Sequence, residues 1–509
     1  MPLRHSLLAL SAATLGAVSG QVLADRADDT LVYASNSEPE NVSPYFNNLR
    51  EGVMLSHLAW DTLIHRDPAS GDYQPQLATD WQWVDSTTLD LDLRRGVEFQ
   101  NGEPFSADDV AFTFNHMLEP DSKIVTRQNI DWIDHVEKLD DYRVRFHLAH
   151  PFPAALEYLA GPTPIYPQQY YQQVGPEGYS RHPIGTGPYE ITQVSPGEGV
   201  TLQKNDSYFS DSPLGEPSIG TLVFRVVPDQ DSQVAQLMTG QVDWIWRLPA
   251  DQADSMASMP NITVNSGESM RVGYVSMNSN NNAPEDSPFR KLKVRQAVNH
   301  ALNRQGMVDN LVRGDSRPIH APCFPSQAGC ETGDVVQYDY DPQQARQLLE
   351  EAGYPDGFET DLYAYRDRNY AEAILNDLRA VGIRARLHFM AYSAVRERQR
   401  DGRAPMTFQT WGSNSVNDAS AFTGVYFNGG ADDEARDPQV MKLISQANSE
   451  TDPQARNSDY RQALARISQQ AYWAPLFSYS INYAYTDQLV FTPHTDAIPR
   501  FYDSHWQQP

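Results

Sequence analysis

The chain has 509 residues, 40% of them hydrophobic and 11% aromatic, enough for roughly three core-forming units at about 150 residues each, which rules out disorder as its main state. Its 39 Lys+Arg against 66 Asp+Glu leave a formal charge of −27, so most of the surface would repel a phosphate backbone, which argues against nucleic acid as a partner. Two cysteines exclude both a disulfide-scaffold protein and a four-cysteine zinc module.

Arg4 and His5 precede an apolar run from Leu7 to Val18, and Val22-Leu23-Ala24 supplies the small residue that a signal peptidase requires. Residues 1–24 are therefore expected to be an export signal cleaved after Ala24, leaving a periplasmic mature chain. The run is too short to span a bilayer, and no later stretch approaches the ~20 apolar residues that a span needs. With no cysteine near the cleavage point, a lipid anchor lacks its attachment residue.

In chain order, Thr30–Tyr33 reads as a strand, followed by the polar, two-proline loop Asn36–Tyr45. Leu89, Leu91 and Leu93 alternate with Asp90 and Asp92, the period of a half-exposed strand. Ser106 and Asp109 predict a capping box ahead of a helix with Val110, Phe114, Met117 and Leu118 on its apolar face. Pro183–Ile191 and Thr221–Val227 form a second strand-rich stretch. Gly185 and Gly187 are expected to make a structural turn, because no Gly-Lys-Ser/Thr follows and Pro188 lacks a backbone donor.

Val294, Ala297, Val298, Ala301 and Leu302 make one helical stripe. Asp341 is expected to cap a helix that starts at Pro342, buries Ala345, Leu348, Leu349 and Ala352, and stops at Gly353. A strand at Asp361–Tyr365, a helix at Tyr370–Ala380 and a strand at Ile383–Phe389 compose a βαβ unit with a parallel pair. Ligands of such open sheets sit beyond the carboxyl ends of the strands, where Arg366 and Arg368 lie. The strand Met406–Trp411 would deliver Trp411 and the loop Gly412–Asp418 to the same edge if it runs parallel to the first two. Surface ion pairing of the arginines and core packing of Trp411 are the plainer alternatives.

Cys323 and Cys330 enclose Phe-Pro-Ser-Gln-Ala-Gly, whose proline and glycine can turn the chain back. In an oxidising compartment they are expected to pair, stabilising the fold by roughly 2 to 3 kcal/mol through closure of a short loop. Metal binding together with His320 is the alternative.

The chain resembles the extracytoplasmic solute-binding proteins of peptide-type ABC importers, solute-binding protein family 5, over residues 30–505. The resemblance is carried by Tyr73-Gln-Pro-Gln-Leu-Ala-Thr-Asp-Trp81, Leu93-Arg-Arg-Gly-Val-Glu-Phe-Gln-Asn-Gly102, Phe105–Phe114, Gly185–Tyr189, Asn205–Tyr208 with Pro217, Gly240–Asp243 and Val294–Leu302. It implies a two-lobed α/β periplasmic-binding-protein fold, class II-like, with a ligand cleft between the lobes and an extra subdomain in the first. The implied division is lobe I at 25–66, the extra subdomain at 67–182, lobe I again at 183–269, lobe II at 270–477, and a lobe I return at 478–509.

It further implies a monomeric carrier that captures a short peptide or peptide-like anionic solute and delivers it to an ABC permease with cytoplasmic ATPases, without covalent chemistry or a cofactor. The alternatives are a secreted peptide-binding chaperone, a secreted hydrolase, or a carrier of an opine-type conjugate or metal chelate. No Gly-x-Ser-x-Gly, His-Glu-x-x-His or phosphate-loop lysine supports an enzyme.

Arg366, at the βαβ edge and in a position that resembles that of an arginine holding the ligand carboxylate in dipeptide-binding relatives, would bind a carboxylate with help from Arg368, and Tyr365 and Trp411 are further ligand-binding candidates. By the same resemblance Asn36, Glu38, Tyr274 and Asn278 would supply cleft-facing groups, at least two of them facing the cleft. Asn414 stands three residues after Trp411, where peptide-binding members carry a carboxylate for the ligand's α-ammonium. Either Asp418 supplies that charge, or the cargo has no free α-amine.

Overall fold

The computed structural model describes residues 28–39, 41–47, 49–280 and 282–507; the expected export signal at 1–24 lies outside the described residues. A ten-stranded mixed sheet runs through the whole molecule. Its middle is the antiparallel pair Ile262–Met277 and Trp473–Thr486, two strands long enough to belong to both halves. On one side, Tyr483–Tyr485 pairs with Trp244–Trp246, and the sheet continues through Thr30–Ser35, Thr221–Val226, Gly199–Lys204 and Tyr189–Ser195. On the other side, Val272–Met277 pairs with Met406–Trp411, followed by Phe358–Ala364 and Ile383–Phe389. Between Glu268 and Val272 the register of the central pair slips, a bulge at the point where the strand changes neighbours.

The helix signals sit where the sequence puts them. Ser106 and Asp109 form the capping box of Ala107–Leu118, whose Val110, Phe114 and Met117 are buried. Asp341 accepts from Gln343 N and Gln344 N at the start of Pro342–Glu351. The βαβ unit is Phe358–Ala364, Arg368–Ala380 and Ile383–Phe389, with parallel strands, and Met406–Trp411 is parallel to the first of them.

The 67–182 region holds a four-stranded antiparallel sheet, Ala78–Asp85, Thr88–Leu93, Arg143–Leu148 and Ile133–Asp140. Its apolar residues share one core with the first half, from Leu31 and Leu58 through Phe114 and Phe146 to Trp244 and Phe501. Asp90, expected on a solvent face, is buried because Arg145, directly opposite on the next strand, covers it with Nε 2.6 Å from Oδ1.

Gly185 and Gly187 form a turn that packs against helix Arg50–Ala59. A Cβ on Gly185 would stand 2.0 Å from the Ala59 carbonyl oxygen, and one on Gly187 2.4 Å from the Ala59 carbonyl carbon. Close backbone approach explains both glycines. The strand that follows starts only at Tyr189.

Cys323 and Cys330 are disulfide-bonded, so their sulfurs are not available as metal ligands with His320. The loop they close is bound to the 416–419 segment: Gln327 Nε2 donates to Val416 O at 2.9 Å, Ala328 N to Asn417 O at 3.0 Å, and Ala419 N to Ala328 O at 2.8 Å. Among the described residues no helix is long and apolar enough to cross a membrane.

Candidate functional site

A cavity of about 520 Å³ lies between the halves, within the range of small-molecule sites. The first half contributes the helix starting at Arg50, Arg247 at the end of Trp244–Trp246, and Asp496 and Arg500 from the C-terminal segment. The second half contributes Tyr365, Arg366, Tyr392, Thr410 and Trp411, and Arg271 comes from the central strand beside the bulge.

The βαβ edge supplies Arg366 for a local reason. The strand Phe358–Ala364 stops, and Asp367 takes a left-handed conformation (φ 51°) at the N-cap of the next helix. Asp is one of the residues that tolerates that region. The Asp367 carboxylate accepts from Arg366 Nε at 2.8 Å and from Tyr479 Oη at 2.7 Å, which fixes the guanidinium beside the cleft. Thr410 accepts from Arg271 Nη1 at 2.9 Å. Trp411, which packs edge-on against Tyr426, keeps its indole N–H buried without a hydrogen-bond partner among the described residues.

The halves also touch across the cleft. Arg50 Nη1 donates to Ser415 Oγ at 2.5 Å, Ser415 Oγ donates to the Asp496 carbonyl at 2.7 Å, and Asn417 N donates to Glu157 Oε1 at 2.6 Å. Arg247 and Ser415 have φ of 59° and 66°, left-handed conformations that cost energy in non-glycine residues and concentrate at functional sites.

Six arginines border the cavity against four carboxylates. Arg66 pairs with Glu157 and Arg500 with Asp496, while Arg247 reaches Glu51 only at 3.5 Å. Among the described residues neither Arg50 nor Arg271 pairs with a carboxylate. Burial, then the neighbouring Arg271 and Arg247, pull Arg50 down to about 10, so it stays charged at neutral pH. Burial, then Arg500, push His57 down to about 3, so this histidine is neutral there.

Asp61, also in the wall, accepts from Thr186 Oγ1 and Tyr208 Oη, each at 2.9 Å, and from Gln76. Burial outweighs these bonds and pushes its carboxyl up to about 7. The folded state thus holds this proton to higher pH than the unfolded chain. The resulting stabilisation is full below the ordinary carboxylate range and is lost as pH rises through about 7. Glu434, buried in the second half and also raised to about 7, adds a slope of the same sign. Asp61→Asn should therefore remove part of the stability loss seen by urea denaturation between pH 5 and 8; a variant with the full wild-type slope would remove Asp61 from its cause.

Of the residues singled out in the sequence, Tyr365, Arg366 and Trp411 border the cavity. Arg368 points elsewhere: it stacks on Phe389 and lies 3.6 Å from Glu372, one helical turn on. Asn36 accepts from Ser37 Oγ, and Glu38 accepts from Gly197 N at 2.7 Å; neither borders the cavity, although Ser37 does. Tyr274 is fully buried in the second half, stacked on Trp473 at 3.6 Å. Asn278 is buried just beyond Met277, which pairs with Met406, the start of the strand whose far end carries Trp411. It therefore lies at the wrong end of that strand to meet the cleft. Asp418 is buried against Arg456 at 2.8 Å, which satisfies its charge and leaves none for an ammonium group. Asn414 belongs to the turn Ser413–Ser415, and its side chain lies outside the described residues.

Arg50, Arg247, Arg271, Asp496 and Arg500 were not singled out from the sequence. Arg271 had the most legible signal, a cation inside a strand at the crossover; the others lack a pattern that separates them from surface arginines.

Residues 72–433 match the family model of bacterial extracellular solute-binding proteins, family 5. The chain belongs to this family. Among its curated relatives, the glutathione-binding protein GsiB of Salmonella choleraesuis (strain SC-B67) is 29% identical over 412 residues, 77% of this chain and 78% of the relative. The heme-binding protein A of Haemophilus influenzae is 26% identical over 497 residues, 90% and 88% of the two chains. Among solved structures, HbpA2 from Haemophilus parasuis superimposes with a TM-score of 0.80 at 25% identity, covering 94% of this chain and all of that one. The fold is the two-lobed periplasmic-binding-protein fold of this family, with the cavity between its lobes.

Proposed function

We propose that the protein is the substrate-binding component of an ABC importer, which captures a short peptide or peptide-like anionic solute between its lobes and delivers it to a membrane permease driven by cytoplasmic ATPases. The observation that carries this reading is the cavity walled by both lobes, with Arg366 clamped at the sheet edge where it can fork onto a carboxylate. Its volume suits a small solute.

In this reading the exported chain acts outside the cytoplasm as a monomer, with lobe I at 25–66, 67–182, 183–269 and 478–509 and lobe II at 270–477. The hinge lies in the two central strands, near Glu268–Val272 and Ser478–Ser480, where pairing slips or changes neighbour. Ligand closes the lobes by differential affinity for the closed form.

Mass spectrometry of solutes co-purifying with the native protein identifies the ligand, and small-angle scattering with that ligand should show compaction. An identical profile at saturation would count against a closing cleft. Arg366→Ala should weaken binding of the same ligand at least tenfold, about 1.4 kcal/mol, with an unchanged circular dichroism spectrum. Unchanged affinity would make Arg366 a bystander.

A further inference from the structure

We propose that the cleft selects a compact polyanion, a solute with two or more acid groups and no ammonium, held by Arg50, Arg247 and Arg271 together with Arg366. The inference rests on the carrier reading above and narrows its ligand.

Two observations carry it. The first is the committed state of every carboxylate in the wall among the described residues. Glu51 accepts from Ser35 Oγ at 2.7 Å and faces Arg247. Asp61 is enclosed by three donors. Glu157 holds Arg66, Tyr73 Oη and Asn417 N. Asp496 holds Arg500 in a pair whose side chains are 4% and 6% exposed. Among the described residues a ligand ammonium would find no uncommitted opposite charge and would meet several guanidinium groups; a buried cation needs a partner to offset its lost hydration.

The second observation is the crowding of cations that lack full compensation. Arg50 and Arg271 bond to hydroxyls, Ser415 Oγ and Thr410 Oγ1, in place of carboxylates. Arg247 meets Glu51 at the long distance of 3.5 Å and lies with its guanidinium 3.9 Å from the Trp246 ring centre. Burial, then the neighbouring guanidinium groups, lower the proton affinity of Arg50 and Arg271, and burial with Arg271 and Arg366 does so for Arg247 despite Glu51, as expected of like charges crowded in a buried wall. One carboxylate on Arg366 leaves this excess standing. A second and a third acid group relieve it, and because Arg50 and Arg247 belong to one lobe and Arg366 to the other, the same groups favour the closed form.

The test is a graded series on one scaffold, titrated calorimetrically: Ala-Ala, a zwitterion; N-acetyl-Ala-Ala, a monoanion; and N-succinyl-Ala-Ala, a dianion. Tricarballylate and 3-phosphoglycerate serve as carboxylate and phosphate arms that separate the two acid sources. Affinity should rise at least tenfold from N-acetyl- to N-succinyl-Ala-Ala, with Ala-Ala weakest. Arg50→Gln and Arg271→Gln should each lower affinity for the tightest of these polyanions at least tenfold and flatten its dependence on sodium chloride concentration. Circular dichroism and the urea midpoint check that each variant is folded, and one folded variant suffices. Ala-Ala or N-acetyl-Ala-Ala binding as tightly as the dianion would overturn the proposal, as would no polyanion binding at millimolar concentration, or a folded variant with unchanged affinity. A co-purifying zwitterion that compacts the protein would sink the proposal while leaving the carrier reading intact; a co-purifying ligand that causes no compaction would strike the carrier reading itself.

Discussion

Replacing Arg500 by alanine is expected to cost about 3–5 kcal/mol of stability, because it strips the partner from a buried carboxylate. Arg500 Nη1 and Nη2 lie 3.0 and 2.5 Å from the two oxygens of Asp496, and both residues are buried. Burial alone would raise the Asp496 carboxyl, but Arg500 outweighs it and holds the group below the ordinary carboxylate range. The sign follows from that depression: the pair's contribution is present above the unfolded carboxylate pKa near 4 and is lost as acid protonates the folded group. The gap between wild type and Arg500→Ala in urea denaturation should therefore be wide at pH 7 and narrower at pH 3. Asp496→Asn combined with Arg500→Met should recover much of the loss, since removing both charges leaves nothing uncompensated. A single-variant loss below about 1 kcal/mol would mean that water reaches the site and screens the pair.

Asp418→Ala is expected to lose roughly 3 kcal/mol for the same reason, leaving Arg456 buried without its carboxylate, and also to weaken ligand binding by about tenfold, roughly 1.4 kcal/mol. The second effect is indirect. Asp418 accepts from Arg456 Nη2 and from Ser420 N, both at 2.8 Å, and so ties the end of the loop that carries Ser415 and Val416 into the cavity wall. Disulfide-loop bonds to Val416, Asn417 and Ala419 brace the same segment. A positioning role predicts equal losses for free and N-acetylated peptides. A loss confined to free peptides would instead make Asp418 the ammonium site and contradict its ion pair with Arg456.

Much of the fold was legible because its signals are local. A capping box, a proline at the first helical position and a strand of alternating leucines each report on a few neighbouring residues, and Ser106, Pro342 and Leu91 behave accordingly. Arg366 was legible for a related reason: a βαβ unit fixes where its strand ends, and the residues just after that end, Tyr365 and Arg366, lie at the ligand edge. The rest of the site was not local. Arg50, Arg247 and Arg500 come from three distant segments that meet only once the sheet has formed, and nothing around Arg50 marks it among 39 cationic residues. Tyr274 and Asn278 show the converse. Their place after the crossover suggested the cleft, but strand alternation and register carry one into the core and the other past the far end of its partner strand.

The shared central pair joins the lobes through bonded strands. Lobes connected by loops can swing on a few freely turning dihedrals, whereas here Ile262–Met277 and Trp473–Thr486 stay bonded to each other on both sides of the slip at Glu268–Val272. In the closing motion proposed above, rotation of one lobe would be taken up as added twist in a two-stranded ribbon, a deformation that strands accommodate gradually and that bulges concentrate. Such a joint would behave as a torsion spring with a preferred angle. A closing ligand would then work against elastic resistance as well as against the loss of water, and a single residue inserted or deleted at the bulge would reset the angle at which an empty cleft comes to rest.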